Sequence, residues 1–274
     1  MKKSLSIVLV CLFLAVTAMG QVTISPMSLF LDSKKRFETV LIMNTTTEPQ
    51  EVKLKWQFGY PITDDQGIIS MVYDDSLNQA KYSAADWIRG FPKNFVLQPG
   101  ARQTIRVTIK APRGLEDGTY WSRLVTNSSA LSKDVGETVV EGIQTQINFQ
   151  FNQITSVFYK HGAVTTGLEL TEITNNLEDM NLVVLVDLKK KGNSPFLGTM
   201  ESKIYDASGE VVKSKYVFVS IYFDGRHRMK FDISDLPKGS YNVDVTFLGN
   251  RTDIPSADII PAKAVSRRGS FTKL

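Results

Sequence analysis

The residue types that usually carry out catalysis are few in this chain, and their spacing fits no catalytic site. The two histidines, His161 and His227, are isolated and belong to no spaced metal-ligand motif. Two acidic pairs, Asp64-Asp65 and Asp74-Asp75, stand in polar, turn-like sequence, where carboxylates stay ionised and solvated. The sequence also lacks a phosphate-binding glycine loop, a nucleophile elbow and a zinc-binding spacing. It therefore predicts no enzymatic activity, no metal site and no cofactor.

One segment has a pattern suited to binding another chain. Between positions 143 and 151 every even position carries an amide side chain, and every odd position is apolar or threonine. The odd positions are Ile143, Thr145, Ile147, Phe149 and Phe151. Because successive side chains of a strand point to opposite faces, this alternation predicts a strand with one apolar ridge. The ridge either fills the core of its own domain or, on an edge strand, binds a second protein.

The N-terminus predicts export. Lys2 and Lys3 precede an apolar run from Leu5 to Val16, and small residues before Gln21 suit cleavage, which together indicate a secretory signal peptide over residues 1–20. No later stretch reaches the roughly 20 apolar residues of a membrane span, so we expect no membrane insertion. The only cysteine, Cys11, lies within the signal peptide, which excludes disulfides. The small positive net charge favours no nucleic-acid partner.

The rest of the chain reads as short strands. Alternating segments bounded by turn residues, without intervening amphipathic helices, predict antiparallel β-sandwiches of immunoglobulin-like type, an all-β fold class. The chain is long enough for two such domains, which we place at residues 21–160 and 161–274 with the join near Gly162. The segment from Ser83 to Ile88 is the only one predicted to be helical. A hairpin is predicted around Ser208-Gly209.

The cluster from Asp117 to Leu124 has a structural and a functional interpretation. Tyr120 after Asp-Gly is typical of the tyrosine corner of immunoglobulin-like sandwiches, with Trp121 or Leu124 packed in the core. Arg123 could instead bind a carboxylate through its guanidinium fork. The sequence favours the structural role for Tyr120 and Trp121 and leaves both roles open for Arg123.

Several motifs in order resemble the PapD-like family of periplasmic pilus-assembly chaperones. They are Phe95-Val96-Leu97-Gln98-Pro99-Gly100, Ile105-Arg106-Val107, Leu115-Glu116-Asp117-Gly118-Thr119-Tyr120-Trp121, and a long strand that ends at Val157-Phe158-Tyr159-Lys160. The resemblance covers most of residues 22–160. It implies a periplasmic protein of two immunoglobulin-like domains set in an L shape, with a cleft between them.

The resemblance also implies a mechanism. Family members lend an edge strand to an exported pilin-type subunit, and their alternating apolar side chains fill the groove of that subunit. Here the lending strand would carry the ridge at positions 143–151. The implied partner is an exported subunit of pilin or envelope type, and no nucleotide is needed. The resemblance leaves open whether the free protein hides its ridge by self-association.

The chain departs from the family at the basic pair that anchors the terminal carboxylate of the subunit. The alignment places Ser28 at the position of the family's arginine and Ser156 at the position of its lysine. Arg106, Arg123 and Lys160 are the basic residues that could replace the pair in space.

A second hypothesis is a structural or surface adhesion protein of the cell envelope. The C-terminal half of the chain resembles the β-sandwich sorting domains of some secreted proteins. The segments that carry this resemblance are Ile204-Tyr205-Asp206-Ala207-Ser208-Gly209 and Leu236-Pro237-Lys238-Gly239-Ser240-Tyr241.

Overall fold

The computed structural model describes residues 22–131 and 149–274, and strands dominate both parts. The elements of the first part are β1 Val22–Ser25, β2 Ser28–Asp32, β3 Phe37–Asn44, β4 Gln50–Gln57, β5 Tyr60–Thr63, β6 Ile69–Val72, α1 Ser76–Tyr82, β7 Ile88–Phe91, β8 Asn94–Leu97, β9 Arg102–Ile109, β10 Gly118–Ala130 and β11 Gln150–His161. Those of the second are β12 Thr166–Glu178, β13 Asn181–Gly192, β14 Phe196–Tyr205, β15 Val211–Ile221, β16 Gly225–Asp232, β17 Gly239–Leu248 and β18 Val265–Lys273. Two 3₁₀ turns span Ala85–Trp87 and Ser256–Asp258.

Each half of the chain forms a sandwich of two sheets. In the first half, sheet β1-β3-β9-β7 packs on sheet β2-β11-β10-β4-β8 around a core that includes Ile42, Ile105 and Leu124. In the second half, sheet β12-β13-β16 packs on sheet β15-β14-β17-β18 around Phe196 and Phe247. In strands such as β3 and β9, alternate side chains enter the core, as the period of two requires. The predicted all-β fold of two sandwiches is confirmed.

The helical prediction was partly wrong. Within the segment from Ser83 to Ile88 the structure has only the short 3₁₀ turn, whereas an α-helix lies just before it, over Ser76–Tyr82. That helix has no buried residue, so it lacks the apolar periodicity by which helices are recognised. Its start is marked by Asp75, whose carboxylate accepts a hydrogen bond from the backbone N–H of Asn78 at 3.0 Å.

The two sandwiches share a turn with a common sequence pattern. In the first domain the hydroxyl of Tyr120 donates to the carbonyl of Glu116 at 3.1 Å. In the second the hydroxyl of Tyr241 donates to the carbonyl of Pro237 at 2.8 Å. Both tyrosines end the pattern Leu-x-x-Gly-Ser/Thr-Tyr, at positions 115–120 and 236–241. The predicted tyrosine corner is confirmed, and the second domain contains one as well.

An aromatic cluster joins the two domains, and we call it the interdomain cluster. It contains Phe30, Phe58, Tyr60, Trp121 and Phe158 from the first domain and Leu197, Tyr222, Ile254 and Ile259 from the second. Trp121 is 2% exposed and lies in this cluster rather than in the sandwich core, which receives Leu124. Burial of this much aromatic surface fixes the second domain against the first.

The β5–β6 hairpin makes further contacts between the domains. The backbone N–H of Arg226, on β16, donates to the hydroxyl of Thr63 at 3.2 Å. The guanidinium of Arg226 donates to the carbonyl of Asp65 at 3.1 Å and also binds the carboxylate of Asp187 with two nitrogens. None of the helices in the described part of the chain is long and apolar enough to span a membrane.

Candidate functional site

Strand β11 has an open edge along its first half. On one side it pairs with β10 over its whole length, from Gln150 to His161. On the other side it pairs with β2 only from Ser156 to Lys160. Residues 150–155 therefore have no strand beside them on that side, within the part of the chain that the structure describes. An open edge of this kind can accept a strand from another protein.

The direction of the backbone groups on this edge follows from one hydrogen bond. The N–H of Ser156 donates to the carbonyl of Met27 at 3.0 Å, on the side of β2. Because backbone N–H groups alternate in direction along a strand, those of Ile154 and Asn152 point the same way. They face the open edge, so they are available to a strand added there.

Two members of the apolar ridge lie in the described region, and both are at the surface. The side chain of Phe149 is 60% exposed and that of Phe151 is 36% exposed. Their rings stack with centroids 6.5 Å apart. Phe151 lies on the same face of β11 as Val157 and Tyr159, which fill the sandwich core. The face of β11 thus passes from the core at one end to the surface at the other.

The other three predicted ridge residues, Ile143, Thr145 and Ile147, lie outside the described residues.

The two serines at the family's anchor positions are neighbours. Ser28 on β2 and Ser156 on β11 face each other across the parallel ladder. Arg123, on β10, is the antiparallel partner of Ser156 on the other side, and its guanidinium contacts the Ser156 hydroxyl. A basic group therefore does lie beside these positions, although it comes from a third strand.

Arg123 is closed off by the second domain. It is 5% exposed; its Nε donates to the carbonyl of Gly59 at 3.0 Å and its Nη2 to the hydroxyl of Tyr222 at 3.0 Å. No carboxylate of the described residues forms an ion pair with it. Burial raises the pKa of Tyr222, so its hydroxyl stays neutral beside the guanidinium.

Lys160 lies on the same face of the sheet and is half-buried. Its Nζ donates to the carbonyl of Asp258 at 2.7 Å and lies 5.3 Å from the ring centroid of Phe30. Burial lowers the pKa of Lys160, while the nearby carboxylates of Asp258 and Asp32 act in the opposite direction. The structure thus brings Arg123 and Lys160 to one face, between the domains.

Arg106 lies elsewhere. It is on β9, on the outer face of the other sheet of the first domain, 4.4 Å from the ring centroid of Phe37. The sandwich core separates it from the sheet that contains β11.

Sequence reasoning missed Tyr222 as a partner of Arg123. The two residues are 99 positions apart and belong to different domains, so no local pattern connects them. The aromatic pair Tyr222-Phe223, which interrupts the alternation after β15, was the only signal available in the sequence.

No protein-family model matches the sequence, and no curated protein is similar to it. Solved structures with a similar fold include the CsuC–CsuE chaperone and tip adhesion subunit complex of Acinetobacter baumannii, at 12% identity and a TM-score of 0.45 over 90% of this chain and 98% of that chain. Another is the Salmonella enterica SafA pilin in complex with the SafB chaperone, at 10% identity and a TM-score of 0.45 over 92% of this chain and 98% of that chain. The fimbrial chaperone CfaA has 16% identity and a TM-score of 0.39, with 93% of this chain and 99% of that chain covered.

Proposed function

We propose that the protein is a periplasmic chaperone-like protein that binds an exported β-rich subunit, of pilin or envelope type, by lending it a strand. The lent strand comprises the ridge at positions 143–151 and the open first half of β11. The observation that carries the proposal is the unpaired edge of residues 150–155, which begins at two exposed, stacked phenylalanines.

The geometry of this edge favours the addition of a partner strand over nonspecific hydrophobic association. Backbone groups of Asn152 and Ile154 supply hydrogen bonds for a new strand, while the phenylalanine side chains supply apolar surface for a groove. Burial of one large apolar side chain contributes roughly 1.5–3 kcal/mol. Several such groups are needed to offset the loss of motion when two proteins associate, and the ridge supplies them at every second position.

The contacts between the domains favour the chaperone over the surface adhesion protein. A sorting domain acts as a separable unit, whereas here the interdomain cluster and the β5–β6 hairpin hold the second domain against the first. A fixed arrangement gives the client a single surface that includes parts of both domains.

For the anchor of a client carboxylate, the geometry supports Arg123 and Lys160 more than Arg106. The first two share the face of the sheet that contains β11, and Arg123 has no carboxylate partner of its own among the described residues. A client carboxylate would reach Arg123 only after the hydroxyl of Tyr222 moves away. We therefore propose that Arg123 changes partner, from Tyr222 in the free protein to the client in the complex.

The proposal is tested by substituting the exposed phenylalanines. The Phe149→Asp plus Phe151→Asp variant and the wild type are purified with their bound proteins from the native periplasm, and the partner is then produced alone for affinity measurement. We expect the variant to fold with unchanged circular dichroism and to bind the partner at least about tenfold more weakly, because a charge takes the place of each ring that the groove of the partner would bury.

The matched control is Tyr216→Asp plus Phe218→Asp on β15. These aromatic residues are likewise two positions apart and exposed, with ring centroids 5.9 Å apart, but they lie on the second domain. Equal binding by the wild type and the phenylalanine variant would contradict the proposal, as would equal losses in the two variants.

A further inference from the structure

Strand β15 is an open edge of the second domain. It pairs with β14 on one side, from Val211 to Ile221, and it is the outermost strand of sheet β15-β14-β17-β18. The opposite end of this sheet is closed by β12, where the side chain of Asn175 donates to the carbonyl of Ser270 at 3.1 Å. The β5–β6 hairpin comes near the end of β15, where Ile62 and Ile221 line one cavity, but it does not pair with the strand. No strand of the described part of the chain therefore pairs with this edge of β15.

The middle of β15 is exposed on both faces. All five residues from Ser214 to Phe218 are exposed, with Tyr216 at 65%, Phe218 at 37% and Val217 at 36%. The register with β14 puts Val217 opposite the buried Met200, on the core side, and puts Tyr216 and Phe218 on the outer face. Apolar side chains thus border the open edge on both faces, and a strand added there would cover both sets.

The charged groups near this edge are held by the second domain itself. Edge strands usually carry free charges or proline that prevent pairing with another chain, and β15 contains neither proline nor an acidic residue. Of its two lysines, Lys213 forms an ion pair with Asp235 at 2.6 Å, and Lys215 donates to a backbone carbonyl of β16 at 3.1 Å. Arg251, beside the outer face of β15, forms an ion pair with Asp253. These contacts leave the edge open to a further strand.

We infer that β15 pairs with β15 of a second copy of this chain, in antiparallel orientation, about a two-fold axis at Val217. Directly opposed residues of an antiparallel pair point to the same face, so the axis must pass through one residue, which then faces its own copy. An axis at Val217 places Tyr216 opposite Phe218 of the second copy, and this aromatic pair occurs twice. Cross-strand aromatic pairs of this kind stabilise a sheet. The second copy always supplies the matching pattern.

Neighbouring registers fit less well. An axis at Lys215 would oppose two lysines directly, and an axis at Tyr216 would place Phe218 opposite Ser214. With the axis at Val217, the two copies of Lys215 are four residues apart along the strands, or about 14 Å. This separation exceeds the Debye length of about 8–10 Å at physiological ionic strength. The register at Val217 therefore combines the largest apolar contact with the least repulsion.

The paired surface has the size of a modest interface. The exposed fractions of Tyr216 and Phe218 together correspond to one aromatic residue in each subunit. One such residue buries about 150–250 Å², so the four rings contribute about 400 Å² to the dimer. Val211, Val212 and Val217, which are also exposed, and the paired backbones add to this area. Interfaces below about 1,200 Å² are mostly weak and transient, so we expect a reversible dimer.

This interface is separate from the proposed client strand. Strand β11 belongs to the first domain, and pairing through β15 leaves its residues 150–155 open in both copies. A dimer then presents two client strands. Self-association through β15 does not depend on the proposed function, so each can fail without the other.

The first test measures self-association of the purified exported chain by sedimentation equilibrium. We expect a substantial fraction of dimer at about 100 μM. The Tyr216→Asp plus Phe218→Asp variant should raise the dissociation constant of the dimer at least about tenfold, because it gathers four carboxylates at the axis. The matched control, Phe149→Asp plus Phe151→Asp, should leave that constant within about twofold of the wild type. Circular dichroism checks that both variants fold.

A single cysteine tests the register. The only natural cysteine, Cys11, lies in the predicted signal peptide, so Val217→Cys gives the exported chain one thiol. Opposed residues of an antiparallel pair have Cα atoms about 4.5–5.5 Å apart, within the range of about 4.4–6.8 Å that a disulfide bridges. Mild oxidation should therefore link Val217→Cys chains into dimers at least about tenfold faster than Lys215→Cys chains, whose thiols lie about 14 Å apart.

Four outcomes would overturn the inference. They are a wild-type chain that stays monomeric at the same concentration, a dimer that the Tyr216 and Phe218 substitutions do not weaken, equal weakening by the Phe149 and Phe151 substitutions, and equal rates of cross-linking at positions 215 and 217. If β15 instead accepts a strand from another protein, the first of these outcomes is observed.

Discussion

At the scale of single residues, His227 shows how burial controls charge. It lies on β16 with 8% of its surface exposed, and its ring meets the ring of Phe247 edge-on at 6.2 Å. Burial lowers the pKa of His227 to about 4, from an ordinary value of 6.5. The residue is therefore a neutral, buried part of the second domain.

The lowered pKa of His227 predicts that the free energy of unfolding decreases when the pH is lowered. Between about pH 6.5 and pH 4 the unfolded chain protonates His227 and the folded chain does not, so the free energy of unfolding decreases as the pH falls through this window. The loss from this residue should reach about 2–3 kcal/mol at pH 4.5. Urea unfolding at pH 7.5 and 4.5 measures it. The His227→Leu variant should lose that much less on acidification; an equal loss in both proteins would contradict the pKa assignment.

Arg123 gives a second prediction at this scale. Its guanidinium links Gly59, Ser156 and Tyr222, and a lysine ammonium cannot reach all three acceptors with the same geometry. We expect Arg123→Lys to lower the free energy of unfolding by about 2–4 kcal/mol, because it leaves buried acceptors unpaired. Chemical denaturation measures the change.

The matched control for Arg123 is Arg102→Lys at the exposed start of β9, which should change stability by less than about 0.5 kcal/mol. Similar effects of the two substitutions would show that the buried contacts of Arg123 contribute little.

At the scale of elements, β11 combines two environments in one strand. Its C-terminal half lies between β10 and β2, whereas its N-terminal half has β10 on one side only. The first half is mostly polar and exposed, whereas the second half contains the buried run Val157-Phe158-Tyr159. The difference in strand pairing determines which backbone groups are free to bind.

Rates of amide hydrogen exchange should alternate from one residue to the next along the first half of β11. In the free protein the amides of Asn152 and Ile154, which face the open edge, should exchange much faster than those of Gln153 and Thr155, which face β10. Strand addition by a client should slow the even-numbered amides and leave the odd-numbered ones nearly unchanged. Residue-resolved NMR measures both states. Equally slow exchange at all four positions in the free protein would show that the edge is already covered.

At the scale of the whole molecule, the interdomain cluster decides how the two sandwiches act together. Trp121 lies at its centre, with ring contacts to Tyr82, Phe58 and Tyr222 at centroid distances of 4.8, 5.8 and 4.9 Å. A comparable apolar residue three positions later, Leu124, belongs to the core of the first domain instead. Substitutions at these two positions therefore distinguish the stability of the first domain from the arrangement of the two domains.

We expect Trp121→Ala to weaken the contact between the two domains, so that they move relative to each other. The substitution should cost about 3–5 kcal/mol and increase the radius of gyration in small-angle X-ray scattering, because the cavity it leaves lies between the domains. Leu124→Ala should cost a similar 2–5 kcal/mol, roughly, without changing the radius of gyration of the folded protein. An unchanged radius in the Trp121 variant would show that other contacts, such as the β5–β6 hairpin, fix the arrangement.

The sequence by itself determined the strands, the all-β class, the two sandwiches and the tyrosine corner at Tyr120. These features depend on local alternation and turn chemistry, which a single segment contains. It also indicated an apolar ridge, of which Phe149 and Phe151 are exposed in the structure. The α-helix at Ser76–Tyr82 escaped prediction because it buries no apolar face.

Only the tertiary structure decided which strand edge is open, where Trp121 packs and what holds Arg123. Each of these depends on contacts between residues far apart in the chain, such as Ser28 with Ser156 and Arg123 with Tyr222. Local patterns specify the strands, whereas the order of strands in the sheets specifies the surfaces that bind.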